Sequence, residues 1–159
     1  MDFLSNLALG FSTAASPENL FFCLIGVLLG TLIGVLPGIG ATATIAMLLP
    51  ITFQLEPVSS LIMLAGIYYG AQYGGSTTAI LINMPGESSS AVTAIDGYQM
   101  ARKGRAGAAL SIAALGSFFA GTVSTFLVAV LAIPLTAVAL EFGAAEYFSL
   151  MVVGLVSSI

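Results

Sequence analysis

Two short stretches of this chain set small hydroxyl residues directly behind glycine: GATATIAMLLP, residues 40–50, and GSTTAILINMP, residues 75–85. Both turn apolar and end in proline at the same spacing. Gly40 matches Gly75, Thr42 matches Thr77, Ile45 matches Ile80 and Pro50 matches Pro85. The chemistry open to such a stretch is anion binding. A helix that starts at a glycine break exposes unpaired backbone N–H groups in its first turn, and that end carries about half a positive charge. Glycine lets a ligand reach the backbone closely. The hydroxyls of Thr42, Thr44, Ser76, Thr77 and Thr78 can donate further hydrogen bonds. The expected binding set is Gly38, Gly40, Thr42 and Thr44 from the first stretch, with Gly74, Gly75, Ser76, Thr77 and Asn83 from the second. The apolar segments contain no Lys or Arg, so an anion such as a carboxylate would be held there without a cation. The alternative is a chance echo in a chain rich in Gly, Ala and Thr.

The elements that must position these residues follow from composition. Hydrophobic residues make up 58% of the 159-residue chain and charged residues 6%, against about a quarter charged in soluble domains. This is the composition of an integral membrane protein, and it excludes intrinsic disorder. A net charge of −4 with a single basic cluster disfavours nucleic acid as a partner. With no histidine and only Cys23, neither a zinc or iron site of the usual ligand kinds nor an intrachain disulfide can be assembled. No cofactor or metal is expected. Nor is an enzyme, because the apolar segments offer no nucleophile with a base and no paired acids.

The expected fold is all-α: a polytopic membrane protein with discontinuous, glycine- and proline-broken helices and re-entrant half-helices. Residues 1–15 read as a helix at the membrane surface, with Phe3, Leu4, Leu7 and Phe11 on one stripe, or as a tail. Residues 1–19 carry no Lys or Arg, so a secretory signal is not expected there. Ser16-Pro17-Glu18 reads as a helix start: hydroxyl cap, first-turn proline, acid at the positive end. Residues 17–53 form a first broken-helix unit, interrupted at Pro37-Gly38-Ile39-Gly40. Its apolar run from Leu20 to Leu36 would cover roughly 25 Å, a little short of the roughly 30 Å hydrocarbon core. Residues 57–85 form a second unit, interrupted at Gly74-Gly75. Each break either ends a span or turns a re-entrant hairpin. Backbone groups freed inside a bilayer must be buried in protein or line a wet cavity, and half-helices aimed at a carboxylate are a transporter device.

Residues 86–105 are expected to be a polar loop, 106–140 a membrane segment interrupted at Pro134, and 143–159 the start of a further one. The abrupt apolar end, EYFSLMVVGLVSSI, leads to the expectation that this is the N-terminal part of a longer protein. Arg102, Lys103 and Arg105 are all the cations of the chain. By the positive-inside rule they place the loop in the cytoplasm, with lipid headgroup contact a second role. Gly26, Gly30, Gly34 and Gly38 recur every four residues, as do Gly66, Gly70 and Gly74. By themselves these ladders read as surfaces for close helix packing.

Single polar residues carry alternatives. Asp96 can bind a coupling proton or sodium ion, or cap a turn with Gly97. Glu87, after Pro85-Gly86 and before three serines, reads as a helix-start cap or a weaker version of the same ion role. Asn83 can contact substrate or ion, or hydrogen-bond between helices. Tyr68, Tyr69 and Tyr73 either line a cavity or form an interfacial belt, and Gln72 is placed for a pocket wall.

The phrases GVLLGTLIGVLPGIGATATIAMLLPITF, residues 26–53, and GIYYGAQYGGSTTAILINMPGESSSAVTAIDGYQMARKGRAGAAL, residues 66–110, resemble the large membrane subunit of tripartite tricarboxylate transporters, the TctA family. The resemblance extends to about residue 125. It implies a multi-pass secondary transporter of the bacterial inner membrane, importing citrate or a related carboxylate. It implies an ion gradient, Na+ or H+, as the driving force. It further implies a small membrane subunit and a periplasmic binding protein as partners. An anion channel or pore without coupled transport is the alternative, since it would share the glycine ladders.

Overall fold

The computed structural model describes residues 3–157 of the chain, and every described element is an α-helix or a connection between helices. In order these are α1 (Phe3–Ala14), α2 (Pro17–Gly34), α3 (Gly40–Thr52), α4 (Pro57–Ile82), α5 (Ser90–Arg102), α6 (Ala106–Leu140) and α7 (Ala144–Ser157). Two helices are long and apolar enough to cross a membrane, Pro17–Gly34 and Ala106–Ala132. One further apolar helix pair, Pro134–Leu140 with Ala144–Ser157, is bent by 99°. The fold is therefore the all-α membrane class with broken helices. The outermost residues of the 1–15 and 143–159 segments, 1–2 and 158–159, lie outside the described residues, as do the side chains of Phe3 and Leu4.

The chain divides into two compact units, Met1–Ala114 and Leu115–Ile159. The first is organised by α2 and α4, whose glycine ladders interlock. A side chain added at Gly26, Gly30 or Gly34 would run into the backbone of Met63, Ile67 or Ala71. One added at Gly66, Gly70 or Gly74 would run into the backbone at Cys23, Val27 or Thr31. At Gly66 and Gly74 the offending carbonyl would lie only 2.7 Å away. Each ladder is thus the groove for the other helix. Glycine is disfavoured by roughly 1 kcal/mol in a helix interior. The backbone contact it permits, summed over many small dispersion terms, offsets that loss. Gly38 falls outside this surface: it lies in the break, exposed, with nothing near it.

Around the ladder contact sits a small apolar core. Leu48 of α3 packs with Met63 and Ile67 of α4, flanked by Phe22, Ile25, Leu29 and Ile33 of α2. A buried polar tie joins the far end. The Ser59 hydroxyl donates to Asn19 Oδ1 at 2.7 Å, and Asn19 Nδ2 donates to the Thr13 carbonyl at 2.8 Å. This anchors the end of α1 and the start of α4 on α2. The start of α2 is as read from sequence: Ser16 Oγ accepts from the Asn19 N–H, with Pro17 and Glu18 in the first turn.

Three expectations are corrected. The helix over residues 57–82 runs unbroken through Gly74-Gly75 and ends at Asn83, whose φ of 58° is left-handed. Glycines packed against a neighbour keep helical geometry, because tertiary contact overrides their low propensity. The 86–105 stretch is not all loop, since α5 occupies its middle, with Gly97 against Ile80 of α4. Pro50 does not stop α3, which continues to Thr52.

In the second unit, α6 contains Pro134 and gives way to α7 at Gly143. Glu146 Oε2 accepts from the Gly143 N–H at 2.8 Å, the reach-back of an acid in the first turn of α7.

Candidate functional site

The break before α3 is held open by glycine. Gly38 has φ 84° and Gly40 φ 66°, both in the region that L side chains rarely adopt. Ile39 precedes α3 and makes no side-chain cap, so the first-turn amides of this helix look elsewhere for acceptors. At about 1.5 Å per residue the 13 residues of α3 span roughly 20 Å, well short of a bilayer core.

One acceptor comes from far along the chain. The Ala41 N–H donates to Glu87 Oε2 at 3.4 Å. What brings Glu87 there is a three-way glycine contact. Gly86 is buried, and a Cβ on it would lie 2.6 Å from the Gly75 Cα and 3.0 Å from the Gly34 carbonyl. The chain after α4 therefore folds back into the notch between the end of α2 and the middle of α4, and only a residue without a side chain passes. The next residue faces α3: Glu87 Cβ lies 3.6 Å from where a Gly40 Cβ would be. The positive end of α3 then favours the Glu87 carboxylate.

A polar network continues from there. The Ser89 hydroxyl lies 3.0 Å from Glu87 Oε1 and 3.5 Å from Gln72 Oε1. Gln72 Nε2 donates to the Tyr68 hydroxyl at 3.1 Å. Residue 87 is pinned to the start of α5, since its N–H donates to Ser90 Oγ at 3.3 Å and the Ser90 hydroxyl donates to its carbonyl at 2.8 Å. The site thus joins the first turn of α3, one face of α4 and the lead-in to α5.

The predicted residues divide accordingly. Gly40, Gly75 and, through Gly75, Gly74 lie at or beside the site; Thr42 is exposed in the first turn of α3. Thr44 is fully buried, and its hydroxyl donates to the Gly40 carbonyl. The hydroxyls of Ser76, Thr77 and Thr78 likewise donate to carbonyls of their own helix, those of Gln72, Tyr73 and Gly75. Such back-bonding uses up the one proton a hydroxyl can donate, so these groups present acceptor oxygens rather than donors. Asn83 is exposed and ends α4. Asp96 is exposed on α5 and is not among the hydrogen-bond partners of the Glu87 carboxylate. Gln72, weighed as a pocket wall, is in the network, and Glu87 caps a helix start, but that of α3 rather than its own. Ser89, Gly86 and Gly34 were not expected. The signal available for Gly86 was its place between a helix-ending proline and an acid.

Among the described residues no group of acids, cysteines or histidines could hold a metal ion. Fold and site together define a multi-pass helical membrane protein whose first span breaks into a short helix with a carboxylate at its N-terminus. The chain belongs to the tripartite tricarboxylate transporter TctA family, whose model matches residues 20–159. It is 76% identical over its full length to a protein of Agrobacterium vitis described as an uncharacterized 52.8 kDa protein in the TAR-I ttuC' 3' region. The chain covers 32% of that relative's length. No solved structure matches.

Proposed function

We propose that this chain is part of the large membrane subunit of a secondary transporter that imports citrate-like tricarboxylates or related carboxylates across the bacterial inner membrane. In this reading a periplasmic binding protein delivers the substrate, a small membrane subunit completes the permease, and an ion gradient drives uptake. The observation that carries it is the Glu87 carboxylate at the first turn of α3. That turn accepts a carboxylate with no Lys or Arg among its hydrogen-bond partners, as a helix N-terminus inside an apolar segment can. The donors offered to a substrate are the amides of Gly40, Ala41 and Thr42 with the Thr42 hydroxyl. Ser76 and Thr77 of α4 offer hydroxyl oxygens. Membership of the family supports the same reading.

The test is uptake of radiolabelled citrate by cells carrying the complete transport system, with and without the binding protein. Uptake that depends on the binding protein is the expected result. Flux independent of it would identify a channel, and no uptake of any di- or tricarboxylate would overturn the transporter reading.

A further inference from the structure

We propose that Glu87, Ser89 and Gln72 hold the monovalent cation, sodium or a proton, whose binding releases the α3 N-terminus to a substrate carboxylate. The inference rests on the transport reading above and goes further, in assigning the coupling step to named groups.

Three side-chain oxygens converge here from two elements: Glu87 Oε1, Ser89 Oγ and Gln72 Oε1. They share a single proton. Ser89 has one to donate, and two acceptors stand within reach of it, at 3.0 and 3.5 Å. Gln72 turns its carbonyl oxygen toward Ser89, and its amide nitrogen donates to the Tyr68 hydroxyl. A cluster rich in hard oxygen acceptors and poor in protons is the coordination chemistry of a small hard cation. A proton on Glu87 would satisfy the same deficit. The partners of the Glu87 carboxylate are neutral, the Ala41 amide and the Ser89 hydroxyl. The hydrogen-bond network that reaches it includes the Ala41 amide of α3, Ser89 and Ser90 at the start of α5 and, through Ser89, Gln72 and the Tyr68 phenol of α4. No cation is among these partners, so the negative charge of Glu87 is offset only by the α3 helix end and the Ser89 hydroxyl.

This geometry links two charges. Glu87 occupies the donor that a substrate carboxylate would use. Two carboxylates at one site repel, and the second binds only when the first is neutralised. A cation on Glu87 supplies that neutralisation and draws the carboxylate toward Ser89 and Gln72, away from Ala41. Cation and substrate then bind with mutual advantage, as linkage requires.

The test uses the complete permease in proteoliposomes with its binding protein and labelled citrate. A sodium gradient at constant pH and a pH gradient without sodium are imposed separately, which distinguishes the two cations. In Glu87→Gln, accumulation driven by the effective gradient should fall at least about ten-fold and lose its dependence on that cation. Ser89→Ala and Glu87→Asp should each shift the half-saturating cation concentration several-fold. Glu87→Gln that accumulates citrate with the wild-type cation dependence would overturn the proposal. If that variant fails to reach the membrane, an unchanged half-saturation in both Ser89→Ala and Glu87→Asp would overturn it equally. Wild-type protein that accumulates citrate under neither gradient would instead defeat the transport reading itself.

Discussion

Glu87 and Ala41, 46 residues apart in the chain, meet at 3.4 Å, carboxylate oxygen to backbone amide. The contact closes a loop through α4 and puts an acid from the lead-in of one helix onto the first turn of another. A helix end inside an apolar segment needs such an acceptor, since an unpaired buried amide is disfavoured by about 1–3 kcal/mol.

The wedge that delivers Glu87 is Gly86. Gly86→Ala places a methyl group 2.6 Å from the Gly75 Cα, so the segment must lift out of the notch. The expected outcome is at least a ten-fold loss of citrate uptake with protein still in the membrane, measured by uptake assay beside a surface-normalised immunoblot. Gly75→Ala should be milder, because its added Cβ would stand 3.4 Å from the Gly86 Cα. Gly75→Leu should match Gly86→Ala.

The interlocked ladders should tolerate nothing larger than hydrogen. Gly30→Leu and Gly70→Leu drive side chains into the backbone of the facing helix, and overpacking of this kind is destabilising by about 1–3 kcal/mol or more. The melting temperature of the detergent-purified protein should fall by several degrees or folded protein should be lost. Gly107→Ala, in open space on α6, should be neutral or slightly stabilising, by up to about 1 kcal/mol.

Gly40 is a different case, because its neighbours leave room. A Cβ there would make ordinary contact with Glu87 at 3.6 Å, but φ is 66°. Gly40→Ala should therefore lose about 1–2 kcal/mol through backbone strain alone. Gly40→Asn should recover part of it, since asparagine visits this region more readily. Thermal denaturation of the pair separates the two explanations: equal losses would point to packing.

At the other end of α2, Ser59→Ala leaves Asn19 Oδ1 without its 2.7 Å donor in a buried setting. A loss of about 1–3 kcal/mol is expected. Citrate uptake per folded molecule should be unchanged, because the tie lies at the α1 end of the bundle and not at the α3 break. Reduced uptake without reduced stability would contradict this placement.

The helical membrane class, the α2 start at Ser16-Pro17, the break at Gly38–Gly40 and the α7 start near Gly143 were all legible in the linear chain. They arise from local causes: capping hydroxyls, glycine at positive φ, apolar length. The ladders, too, were legible as packing surfaces by their spacing of four. What only the tertiary structure decided is which glycines break a helix and which merely admit a neighbour. Gly38 faces open space, Gly40 meets Glu87 only at ordinary contact distance, and both leave the helical region. Gly74 and Gly75 are pressed against α2 and Gly86 and stay within α4. Identical residue types thus take opposite roles, because a glycine backbone follows whatever lies against it. The carboxylate at the α3 N-terminus was invisible for the same reason. No local pattern ties Glu87 to Ala41; it takes the folded notch of Gly34, Gly75 and Gly86 to set an acid against an amide 46 residues away.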